Sequence, residues 1–370
     1  MDKPPLSKCP KCGHDKFIPE EDILDTWATS SLTPHLSVDQ FKDKPIYKRL
    51  YPMSLRPQAH DIITFWLFNT VVKSRLHDGV NPWADVVISG HAQDPHGRKM
   101  SKSKGNVVEP QLMIDRYSAD CLRFWAAGCK LGEDLPFSEK DLVTGQKFTT
   151  KLWNASRFVF MHLQDYDGSK PPLEVVDKWL LAKLARIITV STEAFDGYEY
   201  SRTKAEVEKF FWQTFCDYYL EIVKERLYKP DIRGQVSRKA AQYTLYQSLL
   251  AIIKMMAPIM PHITEEVYQL YYNIKEEGKS IHISQWPEPF AADDESERVG
   301  DVLVEVLGRV RKHKTENKMS LAKEVENATI KATSEQISML KKVEGDLKST
   351  AKILEIEYQE GGELEVTFGC

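Results

Sequence analysis

The sequence has 370 residues, of which 42% are apolar and 28% are charged, a composition typical of a globular protein with two or three domains. A formal net charge of −4 excludes a protein that binds nucleic acid through an overall positive field, so we expect no DNA partner and only local basic faces for RNA. No apolar run approaches about 18 residues and the N-terminus is polar, so we predict neither a membrane span nor a secretory signal.

The motif CPKCG places two thiols, Cys9 and Cys12, on one tight turn. Two thiolates at this spacing are half of a tetrahedral zinc site. The sequence contains no second CxxC pair, and His14 would be only a third ligand, so the alternative is a pair of free or mutually reactive thiols. The other cysteines are scattered, mostly within apolar segments, which favours reduced thiols in a cytoplasmic protein. The missing ligands suggest that the chain begins in the middle of a larger protein.

A loop at residues 97–106, GRKMSKSKGN, is the strongest functional signal. Its cations alternate with hydroxyls between glycines, which suits a mobile loop that closes on a polyanion such as a triphosphate. These cations are Arg98, Lys99, Lys102 and Lys104. Residues 86–88 predict a buried strand before the loop, and Glu109 with Pro110 is a helix-start signal after it. A loop between a strand and a helix is a common nucleotide site, and a solvated basic turn is the alternative.

After the loop, Ser118 is predicted to cap a short helix through residues 121–125. From Lys147 the periodicity becomes helical, with a second amphipathic helix at 176–195 and a fourth helix from about Arg238. The third helix carries one buried stripe, formed by Val207, Phe211, Phe215, Tyr218, Tyr219 and Ile222. Two prolines at 258 and 261 must kink or restart the fourth helix, and residues 281–287 are predicted to close this bundle as an extended strap.

Residues 291–296, AADDES, form a linker by composition. Beyond it we predict a helix at 299–314, and then a strand, a helix and two strands that complete a small α+β appendage. Their predicted bounds are 327–331, 335–347, 353–358 and 364–368. The helix at 299–314 has basic residues near its end, which are a candidate RNA contact, with a solvated face as the alternative.

Five segments in this order resemble the class I valyl-tRNA synthetases of the archaeal type. They are DTWATSS at 25–31, RPQAHDI at 56–62, KMSKSKGN at 99–106, DRYSADCLRFW at 115–125 and KLWNASRF at 151–158. The resemblance runs from about Cys9 to Trp286, and the isoleucine and leucine enzymes are the near alternatives. Ala59 stands where many relatives have glycine, so its methyl group would crowd a nucleotide that approaches the backbone.

The resemblance implies adenylation of valine with ATP and Mg²⁺, followed by transfer to valine tRNA. Lys99 and Lys102 would be catalytic and stabilise the pyrophosphate leaving group. Asp25 and Trp27 would form the amino-acid pocket, with a surface turn and a packed tryptophan as the alternative. Asp61 would accept hydrogen bonds from the ribose, or it caps a helix. The full set of residues implied for ATP and adenylate binding is His60, Asp61, Gly90, His91, Lys102 and Ser103.

The expected fold is mixed α/β and α. Residues 1–140 would be the C-terminal part of a Rossmann-like catalytic domain with the KMSKS loop, 141–290 a helical anticodon-binding bundle, and 291–370 the appendage. The family's HxGH signature and its editing domain do not precede KMSKS, so we expect a C-terminal portion that is inactive without the missing N-terminal half. The alternative function is a tRNA-binding module without catalysis. Half a parallel sheet would also leave an unpaired edge that invites dimerisation.

Overall fold

The computed structural model describes residue 4 and residues 6–368, and these divide into two compact units. Unit 1 contains the described residues up to His91 together with Leu131–Asp134. Unit 2 contains Ala92–Lys130 and the described residues from Leu135 onward. Within these described residues, every helix is too short or too polar to cross a lipid bilayer.

Unit 1 is built on one parallel strand pair. Three short helices come first in the chain: α1 (Thr26–Ser30), α2 (Thr33–Asp39) and α3 (Tyr47–Leu50). Then β1 (Met53–Ala59) pairs with β2 (Trp83–Ser89), in a register that sets Met53 opposite Trp83 and Ala59 opposite Ser89. The crossover between the strands consists of a 3₁₀ turn, a π-helical turn and one longer helix, namely His60–Ile62, Ile63–Leu67 and α4 (Phe68–Asp78).

The predicted strand at residues 86–88 is confirmed, but its predicted burial is wrong. Val86 is 40% exposed, and Val87 and Ile88 are only half-buried. In the part of the chain that the structure describes, β1 and β2 pair only with each other, so both are edge strands and neighbouring strands give their side chains little cover. Other large apolar side chains of unit 1 are exposed as well: Leu55, Phe65, Phe68 and Leu76.

Unit 2 begins with a small framework around the signature loop. Here β3 (Ala92–Gln93) pairs in parallel with β4 (Leu135–Pro136), and α5 (Pro110–Tyr117) and α6 (Ala119–Ala126) lie between them in sequence. Pro110 occupies the first position of α5, and the Ser118 hydroxyl accepts a hydrogen bond from the Cys121 N–H, as predicted.

The helical bundle follows. Its α-helices are α7 (Glu139–His162), α8 (Val175–Asp196), α9 (Tyr200–Lys209), α10 (Leu220–Ile222), α11 (Lys224–Tyr228), α12 (Pro230–Arg233), α13 (Gln235–Met256), α14 (Pro261–Val267) and α15 (Asn273–Lys275). Two π-helical segments, Phe210–Tyr219 and Tyr268–Tyr272, continue α9 and α14, and a 3₁₀ turn lies at Ile281–Ile283.

The predicted stripe of the third helix is confirmed as core. Its apolar residues are almost completely buried, whereas Tyr218 is half-buried and its ring lies 4.6 Å from the Arg311 guanidinium. The predicted break in the fourth helix is also confirmed, because α13 ends before Pro258 and α14 starts at Pro261. Periodicity and proline chemistry therefore determine the main features of the bundle.

Helix α6 holds both sides of this proline break. The Asp120 carboxylate accepts hydrogen bonds from the N–H groups of His262 (3.2 Å) and Ile263 (2.7 Å), which caps the start of α14. One turn later, Arg123 donates to the carbonyls of Pro258 (2.8 Å) and Ile259 (3.0 Å). The helical linker after the signature loop is thereby fixed to the bundle.

The appendage is built around a second hydrophobic core, to which Val176 of α8 and Ile222 of α10 also contribute. It contains α16 (Asp294–Glu316), β5 (Val325–Ala332), α17 (Ser334–Lys342), α18 (Glu344–Ala351), β6 (Ile353–Glu360) and β7 (Glu365–Phe368). The strand order is β6–β5–β7, with β6 parallel and β7 antiparallel to β5. The prediction of one helix at 335–347 is wrong, because the chain breaks at Val343, whose side chain is buried in this core.

Gly300 allows α16 to lie directly against α8. A Cβ atom at this position would be 2.1 Å from the Trp179 ring. The indole of Trp179 also donates a hydrogen bond to Asp301, at 3.0 Å. Appendage and bundle are therefore closely packed at this contact.

Candidate functional site

The signature loop is organised by a buried carboxylate, Asp94. Asp94 Oδ1 accepts hydrogen bonds from the N–H groups of His96 and Arg98, both at 2.9 Å. Its Oδ2 accepts from the Arg98 guanidinium at 2.8 and 2.9 Å and from the Asn106 amide at 3.0 Å. Burial alone would raise the pKa of Asp94, but these hydrogen bonds outweigh it and hold the pKa well below its usual range. Asp94 is therefore an ionised carboxylate that accepts hydrogen bonds from within the loop and pairs with Arg98.

Asn106 closes the loop from its other end. Its side-chain oxygen accepts a hydrogen bond from the Ser101 N–H at 3.0 Å, and its amide also lies 3.3 Å from the Lys99 carbonyl. Lys99 itself forms an antiparallel bridge with Gln93. The backbone from Gln93 to Asn106 is thus tied together at both ends.

Three cations of the loop, Arg98, Lys102 and Lys104, have different surroundings. Arg98 is bound to Asp94, whereas Lys102 and Lys104 are exposed at the ends of a 3₁₀ turn, Lys102–Lys104. Neither lysine forms an ion pair within the part of the chain that the structure describes. Ser103 is exposed beside them, with its Oγ 3.1 Å from Ser101 Oγ. This turn presents cations and a hydroxyl to solvent, which is suited to binding phosphate groups.

In unit 1 the predicted nucleotide residues form a histidine–carboxylate cluster. The rings of His60 and His91 meet edge to face at 4.6 Å, and His91 Nε2 lies 3.9 Å from Asp61 Oδ2. Asp134 joins them, because its Oδ1 accepts from the His91 N–H at 2.7 Å and lies 3.3 Å from His60 Nε2. The His91 N–H and the His60 imidazole hold the pKa of Asp134 below its usual range.

Gly90 makes this cluster compact. A Cβ atom at residue 90 would lie 2.1 Å from the Glu133 carbonyl oxygen, so the segment Leu131–Asp134 can approach only a glycine. At the start of the cluster, Ala59 occupies the N-cap position of the 3₁₀ turn and Asp61 lies within the turn. The structure therefore groups the predicted residues His60, Asp61, Gly90 and His91 within unit 1, whereas Lys99, Lys102 and Ser103 belong to unit 2.

The predicted amino-acid pocket residues lie at the start of α1. Asp25 is the N-cap of this helix, because its Oδ1 accepts from the N–H groups of Trp27 (2.8 Å) and Ala28 (3.3 Å). The half-buried Trp27 ring stacks on Phe65 at 5.8 Å. Asp25 thus has a structural role in the helix, and Trp27 contributes to a flat aromatic surface.

Cys9 and Cys12 lie on a tight turn in which the Gly13 N–H donates to the Cys9 carbonyl at 2.8 Å. The N–H groups of Cys12 and Lys11 and the Cys12 side chain lower the pKa of the Cys9 thiol. Among the residues described, no three histidine, cysteine or acidic side chains come together in a way that would hold a metal ion. These two thiols supply two ligands and do not by themselves fit a structural zinc site.

Sequence reasoning missed three polar residues and an aromatic surface. Asn106 is the last residue of the signature but was assigned no role, Asp94 precedes the signature, and Asp134 lies 43 positions from its partner His91. In the bundle, the Tyr228 ring is 56% exposed and stands perpendicular to the buried His162 at 4.6 Å. Tyr228 is the last residue of α11, and the sequence alone did not distinguish it from the other aromatic residues of the bundle.

Two family models match the chain. "tRNA synthetases class I (I, L, M and V)" matches residues 2–138, and "Anticodon-binding domain of tRNA ligase" matches residues 177–330. A LeuRS crystal structure from Agrobacterium radiobacter, a ternary complex with tRNA and LeuAMS, superposes with a TM-score of 0.57 at 19% identity and covers 78% of this chain and 35% of that one. At this identity the likeness shows a shared fold.

Curated relatives are considerably more similar. The valine–tRNA ligase of Haloarcula marismortui is 42% identical over 89% of this chain and 36% of its own length. Those of Methanothermobacter thermautotrophicus and Thermoplasma volcanium are 41% and 37% identical, over 96% and 99% of this chain and 40% and 46% of their own lengths. The chain thus spans less than half the length of these relatives. It belongs to the class I tRNA synthetase family, in the branch of the archaeal valine–tRNA ligases.

Proposed function

We propose that this chain contributes an ATP-binding loop and a tRNA-binding helical bundle to the ligation of valine to its tRNA. The observation that carries the proposal is the 3₁₀ turn Lys102–Lys104, which exposes cations and Ser103 on a rigidly tied loop in a chain similar to valine–tRNA ligases. The division into 1–140, 141–290 and 291–370 is proposed as the functional division. Two hydrophobic clusters support the last boundary, one within the bundle and one centred on the appendage, although Val176 and Ile222 of the bundle join the second.

In the proposed adenylation, a valine carboxylate oxygen attacks the α-phosphorus of ATP, and the bond to the bridging oxygen of pyrophosphate breaks. The ammonium groups of Lys99 and Lys102 stabilise the negative charge that develops on this leaving group, and Mg²⁺ enters with ATP as part of the substrate. Ser103 would donate a hydrogen bond to a phosphate oxygen. The Lys102 side chain suits this role because it is exposed and forms no ion pair within the described residues.

The histidine–carboxylate cluster of unit 1 is the proposed adenosine side. Asp61 would accept hydrogen bonds from the ribose hydroxyls, and the rings of His60 and His91 would border the base. The close approach of Glu133 to Gly90 supports a fixed geometry here. Trp27, stacked on Phe65, would provide an apolar wall for valine, and Asp25 a carboxylate near its ammonium group.

The bundle is the proposed tRNA-binding part. Unpaired anticodon bases are commonly recognised by stacking on aromatic side chains and by hydrogen bonds to their edges. Tyr228 suits stacking because it is 56% exposed, while its ring is also held by contacts with the rings of Phe158 and His162. We propose no zinc-dependent step, since Cys9 and Cys12 do not fit a complete site.

ATP–pyrophosphate exchange tests this proposal. We would measure it with valine, isoleucine and leucine, for the chain alone and for the chain combined with the N-terminal portion of a valine–tRNA ligase. We expect no exchange by the chain alone, because exchange needs the triphosphate positioned in line, which contributes about 7–11 kcal/mol. Valine-dependent exchange is expected in the combined protein.

A matched pair of lysine variants makes the test specific. In the combined protein, Lys102→Ala should lower the exchange rate roughly 10²–10³-fold while valine affinity changes little, because it removes a donor to the developing charge. Lys140→Ala, an exposed lysine of α7, is the control and should leave the rate unchanged. A Lys102→Ala defect that lay wholly in valine binding would contradict the proposed role.

A further inference from the structure

The signature loop contains more internal polar bonding than phosphate binding by its lysines requires. The Asp94 side chain is only 2% exposed, yet both of its oxygens are surrounded by donors from His96, Arg98 and Asn106. A buried carboxylate is costly unless such donors compensate it, so this arrangement strongly favours one loop conformation. A basic turn that only attracted anions would not need this carboxylate.

The same contacts set Arg98 apart from Lys102 and Lys104. Arg98 directs Nε and Nη2 at Asp94 Oδ2, so one edge of its planar guanidinium is already occupied. Lys102 and Lys104 follow on the 3₁₀ turn, which begins directly after Ser101, and Asn106 fixes the Ser101 N–H. The position of the two lysines therefore depends on Asp94 through Asn106, to which Asp94 is bonded at 3.0 Å.

We propose that Asp94 and Asn106 are positioning residues of the signature loop, which hold Arg98 as an internal counter-charge and leave Lys102 and Lys104 to the phosphate groups. This inference rests on the proposed function of the loop. It predicts that Arg98 acts on phosphate binding only through the loop's shape. The competing account makes Arg98 a direct phosphate ligand alongside the lysines.

Amide hydrogen exchange of the full chain tests the positioning role without any ligand. In Asp94→Asn we expect the amides of His96, Arg98 and Ser101 to exchange roughly tenfold faster, because charge-assisted hydrogen bonds are lost. The control is Asp115→Asn, an exposed carboxylate of α5 that is bonded only to Gln111, at 2.8 Å, among the contacts of the described chain. Unchanged exchange in the loop of Asp94→Asn would overturn the proposal.

If Asp94→Asn unfolds unit 2, the amides throughout α7 will also exchange faster. A second variant keeps the proposal testable in that case. Asn106 is half-buried, so Asn106→Ala should be tolerated and should accelerate exchange at Ser101 while α7 keeps its protection. Retained protection of the Ser101 amide in Asn106→Ala would then overturn the proposal.

Calorimetric titration with inorganic tripolyphosphate at several salt concentrations separates the two roles of the cations. The steepness of the salt dependence follows the number of ion pairs made with the ligand. We expect Lys102→Ala to make the salt dependence of binding shallower. Arg98→Ala should weaken binding but leave the salt dependence as steep as in the unmodified chain. An Arg98→Ala variant with the same shallower dependence as Lys102→Ala would show a direct contact and overturn the division of cations. If the unmodified chain fails to bind tripolyphosphate, the proposed function of the loop fails for this chain, and the exchange experiment alone decides the positioning role.

Discussion

Removal of one buried carboxylate, that of Asp177, tests how the helical bundle is held together. Asp177 in α8 and Arg226 in α11 are both fully buried and form two parallel bonds, Nη1 to Oδ1 at 2.9 Å and Nη2 to Oδ2 at 2.7 Å. Asp177 also accepts from the Tyr219 hydroxyl at 2.6 Å, and Arg226 donates to the Ser237 carbonyl at 2.7 Å. Three helices and a π-helical segment therefore meet at this ion pair.

Asp177→Ala leaves a buried guanidinium with only a more distant carboxylate, Glu174 at 3.8 Å, as its counter-charge. Loss of one partner from a buried ion pair costs about 3–5 kcal/mol, and the Tyr219 hydroxyl loses its acceptor as well, so we expect unit 2 to lose about 4 kcal/mol of unfolding free energy. A urea titration followed by circular dichroism measures this loss, because unit 2 contains most of the helices. With an m-value of about 2 kcal/mol/M, the midpoint should fall by about 2 M.

The control is an ion pair on the same stretch of chain whose side chains are 44% exposed, Glu221 Oε1 with Lys224 Nζ at 2.6 Å. Glu221→Ala should cost only about 0.2–1 kcal/mol, because solvent screens this pair. The double variant Asp177→Leu with Arg226→Met should recover most of the stability, since no unpaired charge remains. The reasoning would be refuted by an Asp177→Ala variant that is no less stable than Glu221→Ala.

Three further predictions concern the appendage and use the same urea titration. Gly300→Ala should destabilise unit 2 by about 1–3 kcal/mol, because its Cβ would lie 2.1 Å from a tryptophan ring of α8. Gly308→Ala in the same helix should be tolerated, because its Cβ would lie 3.5 Å from the Tyr218 hydroxyl. Equal effects of the two substitutions would contradict this prediction. Burial raises the pKa of Asp346 from 3.8 to about 6. The unfolding free energy of the unmodified chain relative to Asp346→Asn should therefore fall as pH rises from about 4 to about 6 and then stay level. Parallel pH profiles of the two proteins would contradict the raised pKa. Lys314→Met should cost about 2–3 kcal/mol, because the buried ammonium donates to three backbone carbonyls at 2.6 to 3.1 Å, while the exposed Lys312→Met should change stability by less than about 0.5 kcal/mol.

The features that sequence predicted well are those set by neighbouring residues. The stripe that includes Phe211 and Phe215 follows from helical periodicity, and the break before Pro261 follows from the missing proline N–H. The Ser118 cap is likewise a local effect, since its partner is three residues away. Such features need no knowledge of the tertiary structure.

Contacts between distant segments could not be predicted in this way. The Asp177–Arg226 pair joins residues 49 positions apart, and each residue alone resembles an ordinary surface charge on a helix. Asp134 enters the histidine cluster because residues 131–134 return to unit 1, which no periodicity indicates. Val86 was predicted to be buried but is 40% exposed. An apolar run predicts burial only when other parts of the chain cover it.

The proposal that this chain recognises valine tRNA through its helical bundle is tested most directly by a binding measurement. We would measure affinity for valine tRNA and for a transcript with a substituted anticodon at several salt concentrations, with Tyr228→Ala as the variant and the half-buried Tyr218→Ala as its control. We predict tighter binding of valine tRNA, a shallow salt dependence that reflects the net charge of −4, and loss of the preference in Tyr228→Ala alone. Equal affinity of the unmodified chain for both RNAs would contradict anticodon recognition by this chain.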